Sequence, residues 1–465
     1  MSLATLLGDT CARARPRVRL SRGLSARVSA AESRDGESAP RDATSSSPST
    51  SRSVAGDLVS VALPSLSRYA GSGAAMLRNG GAAVRHYADV ARGGRGARPS
   101  SWSPGLTIGV ELLSGFLEGI DLRPSEVDAL LAGEGEDLVA YVRSLRAVMA
   151  VGIPPLPGTR VEPVRIRWGD ARHSAAWLSP PRRASRDAPR QPVILWLHGG
   201  AFILCGTSTH ARLLSSVAAA ADARVLSVEY PLAPDQGGYV DALRAATDAY
   251  RWLVDDAGGG VDPRDVVVGG DSAGGHLALG LVRELATLAE REDGVNGGGG
   301  GPDGGSTRDG RVEMPAGVVL MSPWLDPGRR LEETVAAWEA AASSSVDYLR
   351  GVKDSMEAVE RLVFGDEADE TESSPPRCLL DADLWTRAGR HATLPPVLVQ
   401  CGGAEVLAGE SRAFGAAARD AGWSDVEVQE WENMPHVFQV FDSVASEGEE
   451  AIRSAGAFVA RVTAR

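Results

Sequence analysis

Short hydrophobic runs alternate with longer segments of helical periodicity through most of the chain after residue 190. The runs are rich in valine and leucine and most carry no charge, as expected of strands buried on both faces of a parallel sheet. They lie at 193–197, 225–228, 266–268, 318–321, 396–400 and 426–431. Because strands that alternate with helices form parallel sheets, the pattern predicts an α/β fold, with a doubly wound, mostly parallel sheet of about eight strands.

Two further strands are predicted from a different pattern. Apolar and polar residues alternate in Val161–Trp168 and again in His173–Leu178, which is typical of strands with one solvated face. Gly169 and Asp170 between them form a turn signal, so the two segments are expected to pair as a hairpin.

Helical periodicity also precedes the sheet. Apolar residues recur at helical spacing in Leu106–Ile120, and a second helix is predicted over Val127–Val148, where Pro124 and Ser125 supply a start signal. The first segment is too short and too charged to cross a bilayer, so it is expected to pack on the core. An amphipathic lid is the alternative interpretation of the same pattern.

Charge and cysteine usage exclude several classes of protein. The net charge is −13, although the first 100 residues hold fifteen arginines and only seven acidic residues, so the remainder is strongly acidic. An acidic body argues against nucleic acid as a partner. The four cysteines are widely scattered, which predicts a reduced intracellular protein without a metal site.

Residues 1–100 are of low complexity in places and are expected to be disordered. The first 30 residues hold six arginines and a single acid, Asp9, which resembles a mitochondrial transit peptide. They contain no apolar segment of the kind that directs secretion. A cytoplasmic location is therefore predicted, with mitochondrial import as the alternative.

The segment Gly270–Gly275 carries the clearest chemical signal. It follows a buried strand and precedes a helix that runs from His276 to about Glu290, and it fits Gly-x-Ser-x-Gly, the nucleophile elbow. Gly270 and Gly274 leave room for the strand and helix to approach, so that the hydroxyl of Ser272 is presented near a helix N-terminus. A glycine-rich turn that merely contains serine is the alternative.

A second loop of small residues follows the strand at 193–197. Its sequence is His198-Gly199-Gly200-Ala201, and backbone N–H groups in such a loop can point at a developing oxyanion. The N–H groups of Gly200, Ala201 and Ala273 are the candidate donors. His198 and Gly199 are expected to be structural, as is Asp271, whose predicted role is hydrogen bonding at the elbow.

An acid and a histidine complete the pattern. Glu405 follows the strand at 396–400, and His436 follows the last strand. The chain order is therefore serine, acid, histidine, each on a loop after a strand, which is the order found in α/β-hydrolases. Glu410 competes with Glu405 for the role of acid, but its position at the start of a predicted helix favours a structural role.

Five motifs together resemble the hormone-sensitive-lipase-like branch of the α/β-hydrolases over roughly residues 150–465. They are His198–Ala201, Tyr230–Pro234, Gly270–Gly275, Ser322–Trp324 and Met434–His436. The resemblance implies hydrolysis of carboxylic esters without a metal or organic cofactor. It also implies a catalytic domain at 151–465, with a cap made of helices in 101–150 and an insertion at about 327–393. Glu405 departs from the family's usual aspartate, and Ala201 stands at the third glycine of the oxyanion loop.

These inferences predict a serine hydrolase with a Ser272–His436–Glu405 triad and an acyl-enzyme intermediate. The insertion is acidic and no long apolar stretch surrounds the site, which favours esters of short to medium acyl chains. An amidase or aryl-formamidase with the same triad is one alternative. Another is a small-molecule receptor like the gibberellin receptors, which resemble this branch but lack the histidine. A third is binding to a membrane surface through Leu106–Ile120. The sequence does not indicate an oligomeric state.

Overall fold

The computed structural model describes residues 99, 101–150, 152–181, 191–295, 313–328, 331–341, 346–365 and 374–464. The predictions made for residues 1–100 fall outside the described residues, apart from residue 99.

Eight strands form one sheet, which confirms the predicted fold class. The strands are β1 Arg160–Trp168, β2 Ala171–Ser179, β3 Val193–Leu197, β4 Arg224–Glu229, β5 Val266–Asp271, β6 Gly317–Met321, β7 Val397–Gly402 and β8 Val426–Trp431. Their order across the sheet is β1-β2-β4-β3-β5-β6-β7-β8. β1 pairs with β2 as the predicted antiparallel hairpin, β2 is antiparallel to β4, and the remaining pairs are parallel.

Eleven α-helices lie within the described residues. They are α1 Pro104–Leu117, α2 Pro124–Leu131, α3 Glu136–Met149, α4 Thr207–Ala221, α5 Tyr239–Val254, α6 Ala273–Val295, α7 Glu332–Ala341, α8 Lys353–Phe364, α9 Ala382–His391, α10 Ala408–Asp420 and α11 Ser446–Thr463. None of these described helices is long and apolar enough to cross a membrane.

Both faces of the sheet are covered because successive side chains of a strand point to opposite faces. In β3, Ile194 and Trp196 belong to one hydrophobic cluster with α4 and α11, whereas Leu195 and Leu197 belong to another with α5, α6 and α9. All four side chains are almost fully buried. A continuous apolar run is therefore what a central strand of this sheet requires.

The strand order reverses between β3 and β5. β3 is followed in the chain by β4 on one side, while β5 lies on its other side. In open α/β sheets, ligands bind beyond the carboxyl ends of the strands at such a switch point. The loop that begins at His198 and the elbow at Ser272 therefore lie at adjacent strand ends.

The prediction of a single helix over Val127–Val148 is wrong. The segment Val127–Val148 forms two helices, α2 and α3, which are separated at Gly133, Glu134 and Gly135. Gly133 has φ +86°, a conformation that side chains rarely adopt, and it ends α2. The hydrophobic periodicity continues across the break because both helices bury an apolar face.

Helix α1 is packed against the body of the protein. Leu106 and Val110 share a hydrophobic cluster with Tyr348 and Phe438, and Ser103 caps the helix through its hydroxyl. The packed face agrees with the interpretation of this segment as a core helix.

Candidate active site

The elbow places Ser272 in a strained backbone conformation. Its φ is +51°, and its main chain is held by a hydrogen bond from its N–H to the carbonyl of Met321 in β6. A Cβ at Gly270 would lie 2.2 Å from the carbonyl oxygen of Gly274, and a Cβ at Gly274 would lie 2.0 Å from that of Leu197. Only glycine fits these two positions, which is the physical reason for the predicted motif.

The loop after β3 leaves backbone donors free beside the elbow. Gly200 and Ala201 both have positive φ, +113° and +53°, so the chain turns sharply after Gly199. The N–H groups of Gly200, Ala201 and Ala273 donate no hydrogen bond to any other described residue. Ala273 is the first residue of α6, where the helix dipole also favours negative charge. This is the arrangement that an oxyanion hole needs.

Asp271 joins the elbow to this loop. Its carboxylate accepts hydrogen bonds from the N–H of Gly199 at 3.1 Å, the indole of Trp196 at 3.0 Å and Nε2 of His210 at 3.0 Å. Burial opposes ionisation of Asp271, but His210 and these donors outweigh it, so its pKa lies below the ordinary value. The sequence analysis missed His210, since no local pattern marks it as a partner of a residue 61 positions away.

His198 is held within the loop by its neighbours. Its ring stacks on Tyr230 with centroids 4.3 Å apart, and its Nδ1 is 2.8 Å from the carbonyl oxygen of Gly199. Tyr230 also donates a hydrogen bond to the carbonyl of His198. Burial lowers the pKa of His198 to about 4, with a contribution from His210, so the ring is neutral at physiological pH. These contacts favour a structural role.

The predicted acid and histidine lie together. Oε1 of Glu405 is 3.7 Å from Nδ1 of His436, and both side chains are almost completely buried. This is an ion-pair distance, slightly longer than a hydrogen bond. Neither atom has a hydrogen-bond partner among the described residues, so each is available to the other. Among the described residues, Ser272 and the ring of His436 form no hydrogen bond with each other.

Ser322 fixes the carboxylate of Glu405. Its hydroxyl donates to Oε2 of Glu405 at 2.6 Å and accepts from the N–H of Val437 at 2.9 Å. The N–H of Gly402, the last residue of β7, donates to the same Oε2 at 2.8 Å. The acid loop and the histidine loop are thus tied together through one serine, a role that the sequence analysis did not assign to it.

The electrostatics of the pair suit an acid–base function. Burial raises the pKa of Glu405 above its usual value. Burial alone would lower the pKa of His436, but the neighbouring carboxylate of Glu405 outweighs it, so the pKa of His436 is raised. A histidine beside a buried carboxylate is stabilised when it takes up a proton.

Glu410, the other candidate for the acid of the triad, contacts the chain after β6 and not His436. It is in the first turn of α10, and its carboxyl group accepts hydrogen bonds from the N–H groups of Leu325 and Asp326. Burial raises the pKa of Glu410 to about 8. These contacts hold the chain after β6 and leave the pairing with His436 to Glu405.

Comparison with known proteins agrees with this geometry. A family model described as alpha/beta hydrolase fold matches residues 194–440, which contain every candidate site residue. The chain therefore belongs to the α/β-hydrolases.

Several proteins of known type within this family are similar to the chain. An acetyl-hydrolase of Streptomyces hygroscopicus is 30% identical over 328 residues, which cover 70% of this chain and 89% of that protein. The carboxylesterase/phospholipase LipF of Mycobacterium tuberculosis is 29% identical over 303 residues, or 62% of this chain and 66% of LipF. The crystal structure of an esterase from the bacterial hormone-sensitive lipase family matches with a TM-score of 0.56 at 27% identity, covering 78% of this chain and 99% of that one.

These similarities confirm the predicted hormone-sensitive-lipase-like branch. The protein is a carboxylesterase/lipase-like hydrolase that cleaves esters, and the prediction of an enzyme is thereby confirmed over that of a receptor.

Proposed function

We propose that the protein hydrolyses carboxylic esters of short to medium acyl chains through a Ser272–His436–Glu405 triad. The observation that carries this proposal is the set of free N–H groups of Gly200, Ala201 and Ala273 at the strained turn of Ser272. A serine turn without catalytic function would not require three unpaired donors at adjacent strand ends. The buried contact between Glu405 and His436 supplies the base.

The proposed mechanism follows from these groups. Ser272 attacks the ester carbonyl while His436 removes its proton, and the protonated ring then donates to the leaving alcohol. Glu405 holds Nδ1–H and stabilises the imidazolium. Each N–H donor of the oxyanion hole contributes about 3 kcal/mol to the transition state, not strictly additively. Water then hydrolyses the acyl-enzyme by the same steps in reverse order. No step calls for a metal or an organic cofactor.

We further propose that α1–α3 and the 327–393 segment form a cap over the site. Within that segment, a 3₁₀ turn at Tyr348–Gly351 brings the ring of Tyr348 edge-on to His436, with centroids 5.8 Å apart. The ester substrate is the proposed partner, and contact of the cap with a membrane surface stays a prediction. A cytoplasmic location also stays a prediction.

A fluorophosphonate probe is expected to label the protein at Ser272. An activated serine attacks phosphorus as it attacks a carbonyl, so the label tests the nucleophile independently of the natural substrate. The measurement is gel fluorescence followed by peptide mass mapping. Folded wild-type protein that resists the probe, or Ser272→Ala protein that labels equally, would overturn the proposal.

Acyl-chain preference is the second expectation. Packed aromatic rings lie beside the elbow and the oxyanion loop: Phe202 and Trp324 lie 5.8 and 5.9 Å from Phe364 between ring centroids. We infer that these rings border the acyl site and limit the room for a long chain. The kcat/KM for p-nitrophenyl butyrate is therefore expected to exceed that for p-nitrophenyl palmitate by about tenfold, or about 1.4 kcal/mol. A preference for palmitate would contradict it.

The same assay, run with matched acyl anilides, tests the amidase alternative. Faster turnover of the anilide than of the ester of the same acid would favour an amidase. The triad would serve either reaction, so only the leaving group distinguishes them.

A further inference from the structure

A buried aspartate in the 327–393 segment lies against the triad loops. Asp347 precedes the 3₁₀ turn at Tyr348–Gly351 and caps it by accepting a hydrogen bond from the N–H of Leu349 at 3.2 Å. Its exposure is 1%. Capping alone does not explain this position, because a cap at the surface would satisfy the same N–H without the cost of burying a charge.

The other hydrogen bonds of the Asp347 side chain go to the two loops that carry the acid and the histidine. Its Oδ2 accepts from the N–H of Val406 at 2.8 Å, directly after Glu405. Its Oδ1 accepts from the N–H of His436 itself at 3.4 Å. One carboxylate from a distant part of the chain, 59 and 89 residues away, therefore holds the main chain of both loops.

We propose that Asp347 is a positioning residue that sets the geometry of Glu405 and His436 and adds negative charge beside the imidazole. The role rests on the triad proposed above. It acts through the two loops and does not require contact with the substrate.

The charges around His436 support this role. Three carboxylates favour the charged form of its ring: Glu405 from the acid loop, Asp347 from the residue before the 3₁₀ turn and Asp271 from the elbow. The ring of Tyr348 lies edge-on to it. After Glu405, Asp347 makes the next contribution that raises the pKa of His436. Because His436 gains a proton during the reaction, a nearby negative charge stabilises the transition state.

The 3₁₀ turn is itself anchored on α1. Arg350 forms an ion pair with Glu111 at 3.1 Å and approaches Glu118 at 3.6 Å, and its side chain is only 13% exposed. A Cβ at Gly351 would lie 2.2 Å from a side-chain atom of Glu118, so the turn and the helix are in close contact. The proposed cap thus holds the turn that follows Asp347 against the end of α1.

The test is the pH dependence of Asp347→Asn, with rates normalised by active-site titration with a fluorophosphonate. The variant keeps the size of the side chain but removes its charge. We expect kcat per titrated site to fall by about 10–100-fold, with KM changed by less than about threefold. Removing a negative charge lowers the pKa of His436. The acid limb of the pH profile of kcat/KM should therefore move to lower pH by about 0.5–1 unit.

Asp262→Asn is the matched control. Asp262 is also a buried aspartate that caps a 3₁₀ turn, Pro263–Asp265, but this turn precedes β5 at the opposite end of the strand from Ser272. The Asp262→Asn variant is expected to keep the wild-type kcat per titrated site, and the acid limb of its kcat/KM pH profile should not move. If Asp347→Asn behaves like this control while the wild type is active, the positioning role is wrong and the triad proposal stands.

A second variant keeps the test decisive if Asp347→Asn gives protein in which the fluorophosphonate labels no active site. Asp347→Glu retains the charge and displaces it by one methylene. If Asp347→Glu lowers kcat per titrated site while the acid limb of its pH profile stays within about 0.3 pH unit of wild type, the positioning role is supported. A variant with wild-type kcat would overturn the positioning role. An inactive wild type would instead refute the function on which the inference rests.

Discussion

Replacing His436 by alanine is expected to lower kcat for a p-nitrophenyl ester by about 10⁵–10⁶-fold. The hydroxyl of Ser272 loses the base that removes its proton, and the leaving alcohol loses its acid. The free N–H groups of Gly200, Ala201 and Ala273 remain, so a residual rate above that in water is expected. Steady-state kinetics with highly purified protein measure the loss, and circular dichroism verifies the fold.

The chain offers a second histidine–acid pair as a control. Nε2 of His173, in β2, lies 2.9 Å from Asp248 in α5, and the two side chains are 12% and 14% exposed. His173→Ala removes a comparable pair that contacts neither the elbow nor the oxyanion loop, so kcat should stay within about twofold of wild type. A His436→Ala variant that keeps more than about a hundredth of wild-type kcat would remove His436 from the triad.

Glu405→Gln is expected to reduce kcat by about 10²–10⁴-fold without unfolding the protein. The amide keeps the size of the side chain and can still accept from Ser322 and Gly402 through its oxygen. Its NH₂ group would then face Nδ1 of His436 and stabilise the wrong tautomer of the ring. Ester hydrolysis per titrated active site measures the effect.

Glu410→Gln is the control for this variant, and it is expected to stay within about tenfold of wild type, a cost of about 1.4 kcal/mol. The carboxyl group of Glu410 has a pKa of about 8, so it is largely uncharged at pH 7 and a neutral amide resembles it. The glutamine oxygen can still accept from the N–H groups of Leu325 and Asp326. If the Glu410 variant were the more damaged of the two, the acid of the triad would be Glu410.

The strands of this protein could be predicted closely because burial on both sides leaves little choice of residue. Val266–Val268 and Val318–Met321 carry no polar side chain, and each lies in the middle of the sheet. The elbow could be predicted for a related reason: steric limits at Gly270 and Gly274 act within a few residues of Ser272. Local constraints of this kind leave a mark in the sequence.

The helix boundaries follow less closely from the sequence because periodicity indicates which face is buried but not where a helix ends. α2 and α3 have in-phase apolar positions, and the separating glycines, Gly133 and Gly135, were the available signal. Likewise, α6 runs to Val295, whereas polarity alone indicated an end near Glu290. The end of α2 is decided by the backbone conformation of Gly133, which periodicity does not report.

The residues that support the site could not be found from sequence because their partners are far away in the chain. Ser322 contacts Glu405 across 83 positions, and Asp347 contacts His436 across 89. Asp347 lies in none of the five motifs, and the Ser322–Trp324 motif does not reveal which group its serine contacts. Such contacts depend on where separate loops meet above the sheet, which periodicity does not specify.

The hydrogen bonds of Ser322 also determine which oxygen of Glu405 can carry a proton. A hydroxyl has one proton, and because Ser322 accepts from Val437 its own proton is directed at Oε2. Gly402 directs a second proton at the same oxygen. A proton that the carboxyl group takes up at low pH therefore settles on Oε1, where it competes with the Nδ1–H of His436 for the same oxygen. Acid inactivation then reports the joint titration of carboxyl group and imidazole, with apparent constants that belong to the pair rather than to either residue.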